Sequence, residues 1–369
     1  MIDPKMYWVG LNLVKGIGSV RFKALVNTFG NPEAAWNAPP GAWQQAGLSQ
    51  KIVESFHRVR QGVSLDQISD RIHSLGAEVL TWDDAGYPPR LKEIDQPPPV
   101  LYVRGALQPE DEWAVAIVGT RRVTAYGRQV AEEVATALVQ SGVTIVSGLA
   151  RGVDSIAHQS AINAGGRTLA VLGNGVDQVY PPENKRLAGQ VMEHGALISD
   201  YPLGTQPDGI NFPPRNRIIS GLSIAVIIVE AGLTSGALIT ATFAAEQGRD
   251  VFAVPGNINA PQSQGTNRLI RDGAQPLLAP QDVLEALNLT MVTEHRSVRV
   301  ALPDDPVEAR LFKLLSHEPM HVDEIRAQAA MPIETVSATL AMMELKGMVR
   351  QVGGMNYVAV RERPEAYEA

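Results

Sequence analysis

Cysteine is absent from the 369 residues of the chain, which excludes disulfide bonds, thiolate metal sites and cysteine nucleophiles. No apolar run reaches the roughly 20 residues that a helix needs to cross a bilayer. The opening residues, MIDPKMYWVG, lack the basic region and apolar segment of a signal peptide, so we expect a cytoplasmic protein without membrane attachment. With 45% hydrophobic and 19% charged residues, the composition is that of a folded chain with two or three domains.

Sequence signatures of common catalytic and cofactor sites are missing as well. The patterns H-E-x-x-H, G-x-S-x-G and G-x-x-x-x-G-K-[ST] do not occur. The G-N-G at 173–175 lacks the third glycine of a full dinucleotide-binding fingerprint. His158 has alanine and isoleucine neighbours in an expected helix, which is typical of a structural histidine. The sequence therefore predicts a binding protein rather than an enzyme, with no cofactor and no metal site.

Strands and helices alternate between residues 111 and 288. Strands are expected at 114–119, 143–148, 168–173, 196–200, 223–230 and 250–254, and helices at 125–141, 153–164, 184–194, 235–247 and 280–287. Strands that are apolar throughout are buried on both faces, so the pattern predicts an α/β fold with a mostly parallel sheet covered by helices. Such sheets bind ligands at the carboxyl ends of their strands, which makes the loops there the functional candidates.

Residues 1–75 are expected to form a small helical domain. Gly16-Ile17-Gly18 precedes an amphipathic helix. This arrangement fits a helix-hairpin-helix turn, whose backbone amides approach a phosphate, and it fits a plain helix–helix turn equally. The proline-rich segment that follows predicts strands at 78–82 and 101–103 that pack onto the central domain, 76–288.

The C-terminal part predicts a linker and a winged helix. Residues 289–305 are polar, and 306–361 contain three helical patterns and a hairpin with a glycine turn. The helices are expected at 306–316, 321–329 and 332–346, and the turn at Gly353-Gly354. The third helix carries Glu334 and Glu344 against Lys346, which disfavours entry into a DNA groove. We expect this domain to bind protein rather than duplex DNA.

Two expected strand ends carry anion-binding residues. Gly119, Thr120 and Arg121 follow the first strand of the central domain, where a tight turn leads into a helix. Backbone amides at a helix start hold phosphate oxygens, and arginine adds a planar pair of donors. Ser235 and Gly236 open another expected helix and form a second candidate anion site.

Two further loops contain an arginine and two residues that are expected to cap helices. Arg151 lies in a turn between two glycines, which gives it no evident structural task. Asp154, beside it, is expected to cap the following helix. Asn184 is expected to cap the helix that begins at Lys185.

An aromatic residue and two arginines share the stretch NFPPRNR. Phe212 precedes two prolines, and Arg215 and Arg217 flank an asparagine, in what we expect to be a rigid loop. Single-stranded nucleic acid is held in this way, since a ring stacks on a base and guanidinium groups bind phosphates. A position in the core is the alternative for Phe212.

Together these motifs resemble a known family. The segments IVGTRR, GLARGVD, LGNGVDQVYPPEN, FPPRNRIISGLS, VEAGLTSGALITATFAAEQGRDVFAVPG and GTNRLIRDGA, in this order, closely resemble the DNA-processing protein A (DprA/Smf) family. The resemblance runs from about residue 78 to 288, and the flanking helical (SAM-like) and winged-helix modules agree with the family's layout.

The resemblance implies an extended Rossmann-like domain that binds incoming single-stranded DNA and dimerises. It further implies a recombination mediator of natural transformation that loads the RecA recombinase, with single-strand-binding protein as a further candidate partner. Carried onto this sequence, the DNA site comprises Gly119, Thr120, Arg121, Arg151, Phe212, Arg215 and Arg217, with Lys185 and Arg249 as extensions of the groove.

Two other function classes remain open at this point. The TSG helix start and Glu230 are similar to features of nucleoside-monophosphate phosphoribohydrolases, but EAGLTSGA lacks their PGG. Hydrolysis of AMP-like nucleotides would favour that enzyme class. A duplex-DNA regulator acting through the winged helix is disfavoured by the acidic third helix, and a preference for duplex over single strands would revive it.

Overall fold

A computed structural model describes residues 2–287, 305–315, 320–345, 348–352 and 354–359. The chain divides into two compact units, Met1–Leu287 and Asn288–Ala369. The predicted linker up to residue 304, together with Lys346 and Gly353, lies outside the described residues. Within the described ranges, no helix has the length and apolar character that a membrane span requires.

The first unit contains fourteen α-helices and nine strands within its described residues, 2–287. The helices are α1 Lys5–Asn12, α2 Ser19–Phe29, α3 Pro32–Asn37, α4 Pro40–Gln45, α5 Gln50–Gly62, α6 Leu65–Ser74, α7 Pro89–Lys92, α8 Ala125–Gln140, α9 Val153–Asn163, α10 Lys185–His194, α11 Phe212–Gly221, α12 Ala237–Glu246, α13 Gln264–Arg271 and α14 Pro280–Ala286. The strands are β1 Ala77–Thr81, β2 Val100–Gly105, β3 Ala114–Val118, β4 Thr144–Ser147, β5 Thr168–Val171, β6 Gly195–Ser199, β7 Ala225–Ile228, β8 Asp250–Ala253 and β9 Gln275–Pro276.

These strands form one sheet in the order β1-β2-β6-β5-β4-β3-β7-β8-β9. The seven strands from β6 to β9 in this order are parallel, while β1 and β2 add an antiparallel edge. The chain builds the sheet outward from β3 to β6, then returns to the other side of β3 with β7. The order therefore reverses between β3 and β7, and this is the switch point at which such sheets bind ligands.

The prediction of a mostly parallel α/β sheet is confirmed. All six predicted strands and all five predicted helices of the central segment form, with ends within two residues of those expected. Every residue of β3, β4, β5, β6 and β7 is buried. The uninterrupted apolar runs follow from this burial on both faces.

The N-terminal helices pack against the same sheet and share a core with it. Trp8 of α1 stacks on Phe22 of α2, and both contact Trp82, which follows β1. The buried cluster continues from these helices into Tyr102 of β2 and Leu197 of β6. As expected, helix α2 turns Phe22 into the core, because its apolar residues recur at helical spacing.

The stretch from Phe212 onward is a helix, α11, and the prediction of a loop there is wrong. Pro213 and Pro214 occupy its first turn, where backbone amides have no partner within the helix and a missing N–H costs nothing.

Two predicted helix caps are also wrong. Gly152 takes the cap position of α9, while Asp154 accepts hydrogen bonds from the loop before it. Asn184 precedes α10 but makes no capping bond, since its amide donates to Leu149 O and Ser155 Oγ, both at 2.8 Å.

The second unit is a winged helix. Its described elements are α15 Pro306–Leu314, β10 Met320–His321, α16 Val322–Ala329, α17 Ile333–Leu345, β11 Val349–Gln351 and β12 Asn356–Ala359. The strands form an antiparallel sheet in the order β10-β12-β11. Helix α17 exposes Glu334, and Glu344 accepts a hydrogen bond from the backbone of Gln351 at 2.9 Å.

Candidate functional site

An open cavity of about 820 Å³ lies at the carboxyl ends of β3 and β7. It sits at the point where the strand order reverses, as the topology requires for a ligand site. Its walls come from the loop after β3, the start of α11 and the start of α12. The predicted residues that line it are Gly119, Thr120, Arg121, Phe212, Arg215, Ser235 and Gly236.

Backbone contacts hold the loop after β3 in place. Thr120 N donates to Glu230 O at 2.7 Å, and Thr120 O accepts from Val153 N at 3.3 Å. A side chain on Gly152 would lie 2.3 Å from Thr120 O, and Gly152 adopts a φ of +76°. Only glycine combines this conformation with so close an approach.

Helix α12 presents its N-terminal end to the cavity. Ser235 Oγ accepts from Ala237 N at 3.3 Å, and Asn216 Nδ2 donates to Gly236 O at 3.2 Å. The first turn of this helix is thereby anchored to α11. The positive end of the helix dipole favours an anion at this wall.

Arg121 is exposed at the rim of the cavity. Its guanidinium lies 5.7 Å from the centre of the Phe212 ring and makes no hydrogen bond or salt bridge with any residue that the structure describes. The Phe212 ring is stacked on Tyr180, with centres 5.7 Å apart, and its inner edge lies over Gly173. Phe212 is therefore partly buried and partly displayed, so its packing does not exclude the stacking role predicted for it.

Arg215 is almost fully buried. Its Nη1 donates to Gly148 O at 3.0 Å and to Val171 O, and its Nε donates to Asn216 Oδ1 at 3.2 Å. Burial lowers the pKa of Arg215 to about 10, although the carboxylate of Asp154 opposes the shift. Most of its donors are thus used within the protein, and the guanidinium reaches the cavity only at its far end.

Arg151 lies in a smaller adjoining pocket with Arg121, Tyr180 and Phe212. It is exposed, and its Nε donates to Glu183. This hydrogen bond and charge pair raise the pKa of Arg151 and lower that of Glu183. An incoming phosphate would have to compete with Glu183 for this guanidinium.

Three predicted site residues line neither the cavity nor the adjoining pocket. Arg217 points away from it and pairs with Asp200 at 2.7 Å, with both side chains mostly buried. Arg249 donates to Arg90 O at 3.1 Å. Lys185 is exposed at the start of α10.

Several lining residues were missed by sequence reasoning. Tyr180 shares the phenylalanine stack, and an aromatic residue before two prolines in a strand-end loop could have indicated it. Asp154 was assigned to a helix cap, whereas its carboxylate faces the cavity. No sequence pattern singles out Asn216, because its role depends on the contact between α11 and α12.

His158 is a structural residue, as expected. Its ring is fully buried, with Nδ1 at 2.7 Å from Thr168 Oγ1, and burial lowers its pKa to about 3. Within the described ranges, no group of three or more histidine, aspartate or glutamate side chains is placed to hold a metal ion.

Family models match segments in both units of the chain. A family model described as DNA recombination-mediator protein A matches residues 78–288, and one described as DprA winged helix domain matches residues 295–355. The chain belongs to the DNA-processing protein A family.

Family relatives cover most of the chain. Protein Smf of Synechocystis is 37% identical to it, over 96% of this chain and 98% of the relative. DNA processing protein A from Streptococcus pneumoniae, a solved structure, is similar with a TM-score of 0.67 and 33% identity, over 76% of this chain and 97% of that one.

A second solved member of the family comes from Helicobacter pylori. It is similar with a TM-score of 0.52 and 32% identity, over 57% of this chain and 95% of that one. That structure describes the single-stranded DNA binding mode of the Helicobacter protein.

Proposed function

We propose that the protein binds single-stranded DNA in the cavity between the loop after β3 and helices α11 and α12. One observation carries the proposal. The exposed guanidinium of Arg121 makes no hydrogen bond or salt bridge with the described residues and lies over the displayed ring of Phe212. A cation beside an aromatic ring matches the alternation of phosphate and base along a single strand.

The remaining walls suit the same ligand. The positive end of the α12 dipole favours a phosphate, and the loop after β3 adds Gly119 and Thr120 to the cavity. Arg122 extends the rim with a second exposed guanidinium. Because these contacts address backbone and ring faces, we expect binding with little dependence on sequence.

Membership of the family supports the proposal. The Helicobacter relative binds single-stranded DNA, and it shares 32% of its sequence with this chain over the matched region. We further propose that the protein acts in the cytoplasm as a dimer through its Rossmann-like domain, in DNA processing and natural transformation. In this role it protects incoming single strands and loads RecA onto them.

The phosphoribohydrolase alternative requires a carboxylate that is free to act on a ribosyl bond. Glu230, the candidate, is 3% exposed, and both of its oxygens accept hydrogen bonds from Thr124. A carboxylate held in this way supports structure rather than chemistry. We therefore propose binding without turnover.

Fluorescence anisotropy of labelled oligo-dT and of a matched duplex, at two salt concentrations, tests the proposal. We expect salt-sensitive binding that favours the single strand. Arg121→Ala should weaken it about tenfold, since a hydrogen bond to a charged group contributes about 1.5–3 kcal/mol, and should lower the salt slope by about 1. The matched control is Arg58→Ala, which removes an exposed helical arginine outside the cavity. Equal loss in both variants, or a preference for duplex, would contradict the proposal.

RecA loading needs its own assay. Strand exchange by RecA on DNA coated with single-strand-binding protein should be stimulated by the wild type and not by Arg121→Ala. Equal stimulation by the two proteins would show that RecA loading does not depend on Arg121 in the cavity.

A further inference from the structure

The floor of the cavity presents an unpaired acceptor. Asp154 is 6% exposed and lines the cavity. Its Oδ2 accepts from Gly148 N at 3.1 Å and from Ala150 N at 3.3 Å. Its Oδ1 has no hydrogen-bond partner among the described residues and is not sealed from the cavity. A ligand on the floor therefore meets a carboxylate oxygen whose orientation is fixed by two backbone amides.

A donor without a hydrogen-bond partner among the described residues lies on the same floor. Arg215 is 5% exposed, and its Nη1 and Nε are engaged with Gly148, Val171 and Asn216. Its Nη2 makes no hydrogen bond within the described part of the chain. A side chain at Gly148 would lie 2.8 Å from both Arg215 Nη2 and Asp154 Oδ2, so the two groups flank this glycine.

A phosphate does not fit this floor. A carboxylate oxygen repels an anion, and the repulsion is stronger in a partly dehydrated cavity than in water. Burial also raises the pKa of Asp154, against the effects of Arg215 and Arg121, because a negative charge is costly at this depth. The suitable occupant is neutral and carries a hydrogen-bond donor next to an acceptor.

We propose that a nucleobase turns into the cavity and places its edge on Asp154 and Arg215, in a manner that accepts all four bases. The proposal rests on the single-strand binding proposed above and assigns the floor of the same cavity. Each natural base has a donor beside an acceptor: N3–H beside O4 in thymine, N1–H beside O6 in guanine, and an amino group beside a ring nitrogen in adenine and cytosine. Phe212, on the cavity wall, supplies a ring for stacking.

The substitution Asp154→Asn changes this selectivity in a predictable direction. The two backbone amides at Oδ2 require an acceptor, so the asparagine oxygen takes that place and its NH2 group faces the cavity. The floor then carries two donors side by side. Guanine (O6 and N7) and cytosine (O2 and N3) have two adjacent acceptors, whereas thymine and adenine have none.

The experiment compares the binding affinities of three 15-nucleotide oligomers, oligo-dT, oligo-dC and an abasic oligomer with the same number of phosphates. The affinities are measured by fluorescence anisotropy at pH 8. For the wild type we expect dT and dC to bind alike and the abasic oligomer more weakly. For Asp154→Asn we expect dT to bind about tenfold more weakly than dC, which is the size of one lost base-edge contact. Binding of the abasic oligomer should stay within twofold. Equal strengthening of all three oligomers would overturn the proposal, because it would place a phosphate on the floor.

Modified bases test the wild-type protein directly, in case the variant does not fold. N3-methylthymidine lacks the N3–H that would donate to Asp154 but keeps its stacking face, so its oligomer should bind about tenfold more weakly than the thymidine oligomer. Deoxyuridine, which lacks only the 5-methyl group, should bind like thymidine. Tight binding of the N3-methyl oligomer would overturn the base-floor assignment while leaving single-strand binding intact. Absence of binding to every oligomer would instead overturn the proposed function.

Discussion

Thr124 and Glu230 are joined by two hydrogen bonds, from the Thr124 hydroxyl at 2.5 Å and from its backbone amide at 2.9 Å. Thr124 precedes α8, whereas Glu230 follows β7, so the bonds connect the two loops on either side of the switch point. The carboxylate thereby fixes the walls of the cavity. This buried contact explains why a glutamate is buried just after an apolar strand.

Gly127 provides the space for this carboxylate. A side chain at Gly127 would lie 2.4 Å from Glu230 Cδ, so Gly127→Ala should displace the carboxylate and lower the free energy of unfolding by about 1–3 kcal/mol. Urea unfolding measures the change. Gly189→Ala is the matched control. Gly189 also lies in a helix, but a side chain there would meet no atom within 4 Å, so the substitution should raise the free energy of unfolding by about 0.5–1 kcal/mol. Equal effects of both substitutions would show that helix propensity, rather than crowding, decides the outcome.

Arg217 should matter for stability and not for DNA contact. Its guanidinium pairs with Asp200 at 2.7 Å, with both side chains about 15% exposed, and it also donates to Gln96 O. Arg217→Met leaves the mostly buried Asp200 without its partner and should cost about 3 kcal/mol in urea unfolding. Arg217→Lys, which keeps the charge, should cost less. A folded Arg217→Met protein with normal stability and weakened oligo-dT binding would contradict this assignment and return Arg217 to the DNA site.

His158 should make the protein less stable in mild acid. Burial, with a smaller contribution from Arg215, lowers the folded-state pKa to about 3, while the unfolded value is about 6.5. The unfolded chain therefore binds the extra proton first as pH falls. Stability from this group is complete above pH 6.5 and is lost towards pH 3, by about 2 kcal/mol between pH 7 and 5. His158→Asn, which does not titrate, should show a smaller loss over this range. The free energy of unfolding is measured by urea unfolding at several pH values. An equal decrease between pH 7 and 5 in both proteins would exclude His158 as the cause.

The ring of Phe212 should contribute to single-strand binding beyond its role in packing. Phe212→Leu keeps an apolar side chain over Gly173 but removes the stacking face, and it should weaken oligo-dT binding about tenfold. Tyr180→Phe retains the ring that stacks on Phe212 and should bind as the wild type does. Anisotropy titrations of both variants compare the two rings. Unchanged affinity in Phe212→Leu would leave Phe212 with packing alone.

Sequence reasoning located the loop of Gly119, Thr120 and Arg121 because its signal is local. A buried strand, a glycine and a helix start stand next to one another in the chain. The link between Thr124 and Glu230 could not be located in this way, since it joins residues 106 positions apart. The same holds for the acceptor and donor on the cavity floor.

Arg215 and Arg217 show how one misassigned element changes a site. In a loop, both guanidinium groups could reach the same phosphate. In helix α11, residues two apart differ by about 200° around the axis, so they leave opposite sides. One arginine therefore faces the cavity, and the other pairs with Asp200 behind the helix.

The core shared by the N-terminal helices and the sheet has a consequence for the limits of the folding unit. The family model begins at residue 78, yet the apolar face beneath Tyr102 and Leu197 is completed by side chains from α1 and α2. A fragment cut to the matched segment would keep every residue of the cavity and expose one face of its own sheet to water. The segment that the family model recognises is thus shorter than the unit that must fold together.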